Sequence, residues 1–333
     1  MTSSDISKLA PPSFADIQAA AKRIAGAAVR TPLLESQFLN ERVGGRVLVK
    51  AECLQRTGSF KFRGAYNRIS MIPEAERANG VVAYSSGNHA QGVAAAAQAL
   101  GIPTTMLMPA DAPAIKMANT RAYGAEVVTF DRFTDNREEM GEALAREKGA
   151  TIVRPYDDPG IMAGQGTIGI ELAEQAREKG AEVDAVLVCC GGGGLVSGTA
   201  TALASTMPGV PVHSVEPEGF DDTARSLIAG HRVENDPAAR SICDALLAPT
   251  PGELTFKVNS QLLASGFAVS DDETRRAMAA AFEYLKIVLE PGGAVSLAAV
   301  LSGRIDAKGK TIVVVSSGGN CDPAIFAEAL ETR

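Results

Sequence analysis

Short runs of β-branched and aliphatic residues alternate along this chain with Ala-rich stretches of helical period, and this rhythm narrows the possible folds more than any other feature. The runs at 46–51, 81–85, 103–108, 126–130, 185–190, 211–216 and 311–316 predict strands. The stretches at 14–28, 88–100, 112–122, 135–148, 161–178, 194–206, 271–287 and 293–302 predict helices. Strands joined through helices run parallel, and a parallel sheet needs helices on both faces. The expectation is an α/β protein of parallel sheets flanked by helices. Such sheets bind ligands beyond the carboxyl ends of their strands. Residues 80–154 read as a complete α/β unit, which predicts a small domain inserted into a large one made of residues 1–79 and 155–333.

Bulk properties narrow the class. A chain of 333 residues, 46% hydrophobic, is long enough for sizeable cores. A net charge of −7 without a Lys/Arg cluster argues against nucleic acid as a partner. The five cysteines, Cys53, Cys189, Cys190, Cys243 and Cys321, are odd in number, and two are adjacent inside an apolar run. This pattern suits reduced thiols in a cytoplasmic protein better than a disulfide framework. Without a CxxC pair, a zinc site is not expected. Residues 1–14 are polar with two prolines and do not read as a signal peptide. No apolar run reaches the length of a bilayer span, so no membrane partner is expected.

Four segments carry chemistry. In Gly58-Ser59-Phe60-Lys61-Phe62-Arg63-Gly64-Ala65 a lysine sits between phenylalanines. Desolvation disfavours its ammonium form, and a neutral amine can form a Schiff base with an aldehyde cofactor. By itself the octapeptide leaves open a strand-end lysine that reaches solvent. In Val188-Cys189-Cys190-Gly191-Gly192-Gly193-Gly194-Leu195, glycines follow a strand and open a helix. Their amides can converge on one anion, aided by the helix dipole. The run matches neither GxGxxG nor the P-loop, which points to a monophosphate; otherwise it is a tight strand-to-helix turn without a ligand. Ser85-Ser86-Gly87-Asn88-His89-Ala90-Gln91-Gly92 also joins a strand to an Ala-rich helix. It reads either as a helix cap or as a set of donors for a carboxylate or a phenolic oxygen. Val315-Ser316-Ser317-Gly318-Gly319-Asn320 again ends a strand, where a hydroxyl can face a ring nitrogen or cap a helix.

These segments, with Ala163-Gly164-Gln165-Gly166-Thr167, come in the order and spacing of the fold type II (tryptophan synthase β-like) pyridoxal-phosphate enzymes. The chain resembles their threonine/serine dehydratase and serine racemase branch from about residue 14 to the end. The resemblance implies a two-domain α/β enzyme with pyridoxal 5′-phosphate in the interdomain cleft. It implies that Lys61 holds the cofactor covalently and shuttles the α-proton. Gly191, Gly192, Gly193, Gly194 and the Leu195 amide would hold the phosphate, and Phe60 would lie against the ring. Asn88 would bond the phenolic oxygen, and Ser317 would face the pyridine nitrogen. Ser85, Ser86, Gly87, Asn88 and His89 would bind the substrate carboxylate. A serine at the pyridine nitrogen tempers the electron sink and favours loss of a β-leaving group.

A further set is Glu216-Pro217-Glu218-Gly219-Phe220-Asp221-Asp222, whose oxygens suit Mg²⁺ or another divalent cation, or alternatively form a solvated acidic turn. The resemblance implies a structural or activating ion on Glu216, the Phe220 carbonyl and Asp222. Ser86 matches the opposite-face base of serine racemases. Arg137 matches an arginine of the racemase-like branch, which would pair with a second carboxylate as in 3-hydroxyaspartate; otherwise it is a surface helix residue paired with Asp or Glu. Pro155-Tyr156-Asp157-Asp158-Pro159 looks more like the dehydratases. The short tail after Asn320 predicts no isoleucine-sensing domain. The expectation is a cytoplasmic, homodimeric threonine/serine ammonia-lyase acting on a small hydroxy-amino acid. Serine racemase and L-threo-3-hydroxyaspartate ammonia-lyase are the alternatives. A binding protein that has lost the reaction is disfavoured by Lys61 and the intact glycine run.

Overall fold

The computed structural model describes residues 6, 8–85, 87–112, 114–131 and 134–332. The strands are β1 (Leu33–Glu35), β2 (Arg46–Ala51), β3 (Val81–Tyr84), β4 (Thr104–Pro109), β5 (Glu126–Phe130), β6 (Thr151–Ile152), β7 (Ala185–Cys189), β8 (Val212–Pro217), β9 (Leu263–Val269) and β10 (Thr311–Ser316). They form a six-stranded sheet ordered β1-β2-β10-β7-β8-β9 and a four-stranded sheet ordered β5-β4-β3-β6. Every pairing is parallel except β1 on β2.

The unbroken apolar runs are explained by cover on both faces. On one face of the larger sheet Val47, Val49, Leu187 and Val314 pack with Val295 and Leu297 of the Pro291–Leu301 helix. On the other, Leu48, Val186, Val188, Val313 and Val315 pack with Ile168 and Leu172 of the Pro159–Glu178 helix and Val196 of the Gly194–Thr206 helix. Each such side chain, fully buried, contributes about 1.5–3 kcal/mol. In the smaller sheet Val81, Ala83, Met106 and Met108 face Val93 and Ala94 of the Asn88–Leu100 helix. Val82, Tyr84 and Leu107 point the other way, toward Ala145 of the Arg137–Lys148 helix.

The Lys61–Ser70 helix joins the two layers. Its Phe62, Ala65 and Ile69 share the smaller sheet's core. Its Gly64 crosses the Pro159–Glu178 helix, where a Cβ on Gly164 would stand 2.5 Å from Gly64 Cα and 2.7 Å from the Arg63 carbonyl. Only hydrogen at both positions allows that approach.

Several expected elements are shorter than expected. The first helix stops at Ile24, before Gly26 at φ 76°. The helix expected over 271–287 is α-helical only to Ala280, followed by a π-helical turn over Ala281–Leu285 that Lys286 ends at φ 60°. The alternation missed β1, β6 and β9 and the helices Gln37–Val43, Lys61–Ser70, Asp222–Ala229, Glu253–Leu262 and Pro323–Glu331. All five cysteines are free thiols. Among the described residues no helix is long and apolar enough to cross a membrane.

Candidate active site

The site lies where strand ends from both sheets meet. β10 ends at Ser316, and the next residues are zipped to the segment before the reactive lysine. The Phe60 amide donates to the Ser317 carbonyl at 3.1 Å and the Gly319 amide to the Gly58 carbonyl at 2.9 Å, while Ser59 bridges Gly318. Lys61 is therefore the first residue of a helix whose start is held by the last strand of the sheet. Its Nζ donates to the Pro155 carbonyl at 3.0 Å and stands 5.1 Å from the centre of the Phe60 ring. Burial lowers its pKa from the usual 10.5 to about 8, against the opposing pull of Glu290. A tenth or so of the amine is then neutral at pH 7.

Opposite Lys61, β7 runs into Gly191–Gly194 and the Gly194–Thr206 helix, with Gly193 at φ 93°. The amides of that first turn have no intrahelical acceptor and carry the positive end of the dipole. A Cβ at Gly192 would run into the Tyr156 ring, one at Gly193 would stand 2.8 Å from Thr255 Oγ1, and one at Gly194 2.9 Å from Tyr156 Cβ. Thr255 Oγ1 donates to the Gly192 carbonyl at 2.7 Å. Thr255 is held in turn by Asp157, which accepts the amides of Glu253, Leu254 and Thr255 at 2.7, 2.9 and 3.1 Å. Tyr156 and Thr255 pack so closely on the loop that Gly192, Gly193 and Gly194 leave no room for side chains, and the amides at the helix start are available to an anion.

One cleft is lined by Phe60, Lys61, Ser85, Gly87, Asn88, His89, Arg137, Gly191, Gly192, Gly193, Gly194, Leu195 and Ser317, so these expected residues come together. Ser86 lies outside the described residues. Asn88 opens its helix, and its amide is engaged on both sides: Nδ2 donates to Glu290 Oε1 at 2.5 Å, and Oδ1 accepts from Asn320 Nδ2 at 2.8 Å. His89 is buried with Nε2 3.0 Å from the Val153 carbonyl, and burial with the nearby Lys61 charge lowers its pKa to about 3. It is a neutral imidazole that locks the helix start. Arg137 opens the Arg137–Lys148 helix with its guanidinium 5.8 Å from the Tyr84 ring centre, and among the described residues it forms no ion pair.

Glu216, Phe220 and Asp222 lie elsewhere, where β8 leads into the Asp222–Ala229 helix. Glu216 is fully buried and accepts the amides of Thr223 and Ala224, each at 2.9 Å. Asp222 accepts from Asn235 Nδ2 at 2.6 Å through Oδ1, while its Oδ2 is buried without a partner. Burial raises both pKa values, and the Asp222 charge pushes Glu216 up further; Asp222 comes to about 6.

Sequence reasoning assigned no role to Lys116, Asp244, Tyr156, Glu290 or Asn320. Lys116 lines the cleft from the smaller sheet's layer and donates to Asp244, on a 3₁₀ turn beside the larger sheet, at 2.6 Å. Glu290 is buried one residue before Pro291, and burial together with Asp244 raises its pKa to about 7. Of these, only Asn320 carried a usable signal, as a polar residue closing the motif after β10.

A buried amine, a backbone anion cradle, a donor amide and a serine hydroxyl around one cavity fit an aldehyde cofactor with a phosphate and a ring. Residues 24–318 match the model of the pyridoxal-phosphate-dependent enzyme family. The chain is 43% identical to an L-threo-3-hydroxyaspartate ammonia-lyase of a Pseudomonas species, over 96% of this chain and 98% of that protein. It is 40% identical to a serine racemase of Schizosaccharomyces pombe, over 96% and 97% respectively. A solved threonine deaminase (T.th.) superposes with a TM-score of 0.88 at 44% identity, over 93% of this chain and 99% of that one. The chain belongs to the pyridoxal-phosphate-dependent enzymes, in the group called fold type II.

Proposed function

We propose that this enzyme is a hydroxy-amino-acid ammonia-lyase that removes water from threonine or serine and releases a 2-oxo acid and ammonia. The observation that carries the reading is Lys61, a depressed amine with a single carbonyl acceptor facing the glycine cradle across one cleft. Bound there, pyridoxal phosphate supplies an electron sink for charge developing at the substrate α-carbon. The rest falls to the chain. The amides of Gly191–Leu195 hold the phosphate, Asn88 donates to the ring oxygen and Ser317 meets the ring nitrogen. Ser85, Ser86, Gly87 and the start of the Asn88–Leu100 helix take the substrate carboxylate. Lys61, freed as an amine, accepts the α-proton; the ammonium so formed protonates the departing hydroxyl, which leaves as water. The released enamine takes up water to give the oxo acid and ammonia. His89, neutral and turned to Val153, supports the helix start and does not titrate in the reaction.

A second reading, L-threo-3-hydroxyaspartate as substrate, is favoured by Arg137, whose guanidinium lines the cleft without a carboxylate partner among the described residues. A panel of L-threonine, L-serine, D-serine and threo-3-hydroxyaspartate, followed for oxo-acid release and enantiomer exchange, tests both. Arg137→Met should raise KM for hydroxyaspartate alone if the second reading holds. Mostly D-serine and little pyruvate from L-serine would overturn the lyase reading in favour of a racemase. In that case Ser86→Ala should stop racemisation and spare elimination.

The metal belongs to the same proposal. The orphaned Asp222 Oδ2 beside a buried, like-charged Glu216 fits a divalent cation held by Glu216, Asp222 and the Phe220 carbonyl. The division into residues 1–79 with 155–333 and an inserted 80–154 is also proposed; the two sheets support it, with the Lys61–Ser70 helix bridging their cores. A homodimer and a cytoplasmic setting rest on the family likeness and the free thiols.

A further inference from the structure

Four groups behind the cleft form one chain of hydrogen bonds whose direction is fixed at one end. The Thr57 carbonyl can only accept, and Asn320 Nδ2 donates to it at 2.7 Å. The same Nδ2 gives its second hydrogen to Asn88 Oδ1 at 2.8 Å, so both of its hydrogens are used. That sets Asn88 with its oxygen toward Asn320 and its nitrogen toward Glu290, where Nδ2 meets Oε1 at 2.5 Å. One hydrogen of Asn88 Nδ2 remains, and Asn88 lines the cleft.

Glu290 is brought there at some cost to local structure. It stands at the N-cap of the Pro291–Leu301 helix, yet its side chain makes no capping bond, and its Oε2 is buried without a partner. Its Oε1 occupies the place a side chain on Gly318 would take, and Gly293 is likewise without room for a Cβ because of the Gly318 carbonyl. Gly318 therefore clears the way for the carboxyl group to reach the amide, and Gly293 makes room for the backbone of Gly318.

We propose that Glu290 and Asn320 are positioning residues that hold the Asn88 amide in a single orientation, so that it meets the cofactor's ring oxygen only as a donor. A free asparagine could turn over and present its carbonyl, which would repel an anionic ring oxygen and favour its protonated form. Held from both sides, Asn88 selects the anionic oxygen. The inference rests on the proposed contact between Asn88 and the cofactor.

The test uses purified holoenzyme and its apo form, with Asn88→Ala, Glu290→Ala, Glu290→Gln, Asn320→Ala and the doubles with Asn88→Ala. Pyridoxal phosphate is titrated into each apoprotein, and the visible spectrum of the bound form is recorded, since its band reports the protonation of the ring oxygen. Glu290→Ala and Asn320→Ala are each expected to weaken binding about tenfold. They should shift the band in the direction that Asn88→Ala does. Glu290→Gln, whose carbonyl accepts the same hydrogen, is expected to restore the wild-type band. In the doubles, the second change should add nothing to Asn88→Ala, because the orienting partners act only through that amide. Additive losses, or a wild-type band in both Glu290→Ala and Asn320→Ala while Asn88→Ala shifts it, overturn the proposal and leave the Asn88 contact standing. An unshifted Asn88→Ala removes the contact itself, and the proposal with it. If Glu290→Ala fails to fold, the Asn320 cycle decides alone, as that change disturbs no buried charge.

Discussion

Two lysines eleven positions apart, Lys50 on β2 and Lys61 at the start of the next α-helix, have opposite fates. Lys50, on β2, is fully buried and spends all three hydrogens: on the Thr31 carbonyl at 2.7 Å, Glu171 Oε2 at 2.6 Å and Gln175 Oε1 at 2.9 Å. Around it Arg63 forks onto Glu52 and Glu171, and its guanidinium holds Glu52 below the usual carboxylate range although burial pushes the other way. Lys61 has one carbonyl and the face of a phenylalanine. Burial lowers both amines, but among the described residues Lys61 keeps hydrogens without acceptors where Lys50 keeps none, and its pKa falls to about 8. Desolvation alone does not make a nucleophile; desolvation with unfilled hydrogen-bonding capacity does. The carboxylates repeat the contrast. Glu52 is neutralised by Arg63, whereas burial and the neighbouring Asp222 charge both oppose ionisation of Glu216, and one Asp222 oxygen is left unpartnered.

The most severe break is Lys61→Ala. It should lower turnover by at least about 10³-fold and abolish the borohydride-fixed cofactor adduct. Mass spectrometry that found the wild-type adduct on Lys50 would end the comparison. Lys50→Met comes next. It strips one cation from a buried network and should cost about 3 kcal/mol in urea unfolding while the adduct on Lys61 persists. Loss of the adduct without loss of stability would mean that the two lysines have been assigned the wrong way round. For the carboxylates, Mg²⁺ at a hundredfold excess over its Kd should add about 2.7 kcal/mol of stability. The gain should vanish in Asp222→Ala. It should also fade as pH falls through about 6, since the pKa of Asp222 is raised to that value and the cation competes with its proton. A melting shift that is equal in wild type and Asp222→Ala, or flat from pH 8 to 5, would place the ion elsewhere. The mildest test is the pH dependence of cofactor uptake by the apoenzyme. Its rate should rise about tenfold per unit up to pH 8 and level off above, because the neutral amine is the reacting form. A rise that continues toward pH 10 would show Lys61 to be an ordinary exposed lysine.

Lys61, the glycine run, Asn88 and Ser317, which the fold brings to one cleft, were legible as candidates because each sits in a contiguous segment whose residue types already imply a chemistry. Apolar flanks are too weak a ground for Lys61, because Val47-Leu48-Val49-Lys50-Ala51 meets that condition equally well. What separates the two lysines is Glu171 and Gln175, more than a hundred residues away. Glu290 was invisible for the same reason. Before a proline it reads as an ordinary helix start, and only the fold turns it onto Asn88. Lys116 and Asp244 are paired across 128 positions. The strand-helix rhythm revealed the central strands, whose two covered faces need apolar residues throughout. It failed at the Lys61–Ser70 helix, where Gly64, Asn67 and Ser70 are poor helix formers and packing against the Pro159–Glu178 helix supplies the stability.

The zipper between residues 58–60 and 317–319 also has a consequence in time. A chain made from its amino terminus holds Lys61 long before it holds the strand that finishes the site; Thr57 and Asn320, which bond to each other, are 263 residues apart. β10 sits between β2 and β7, so the larger sheet remains split until β10 itself has been made. A chain still lacking β10 cannot bury the amine in this way, so its ammonium should stay intact and react little with stray aldehydes. Only the arrival of β10 strips its water and arms it, so the amine becomes reactive no earlier than the larger sheet is closed.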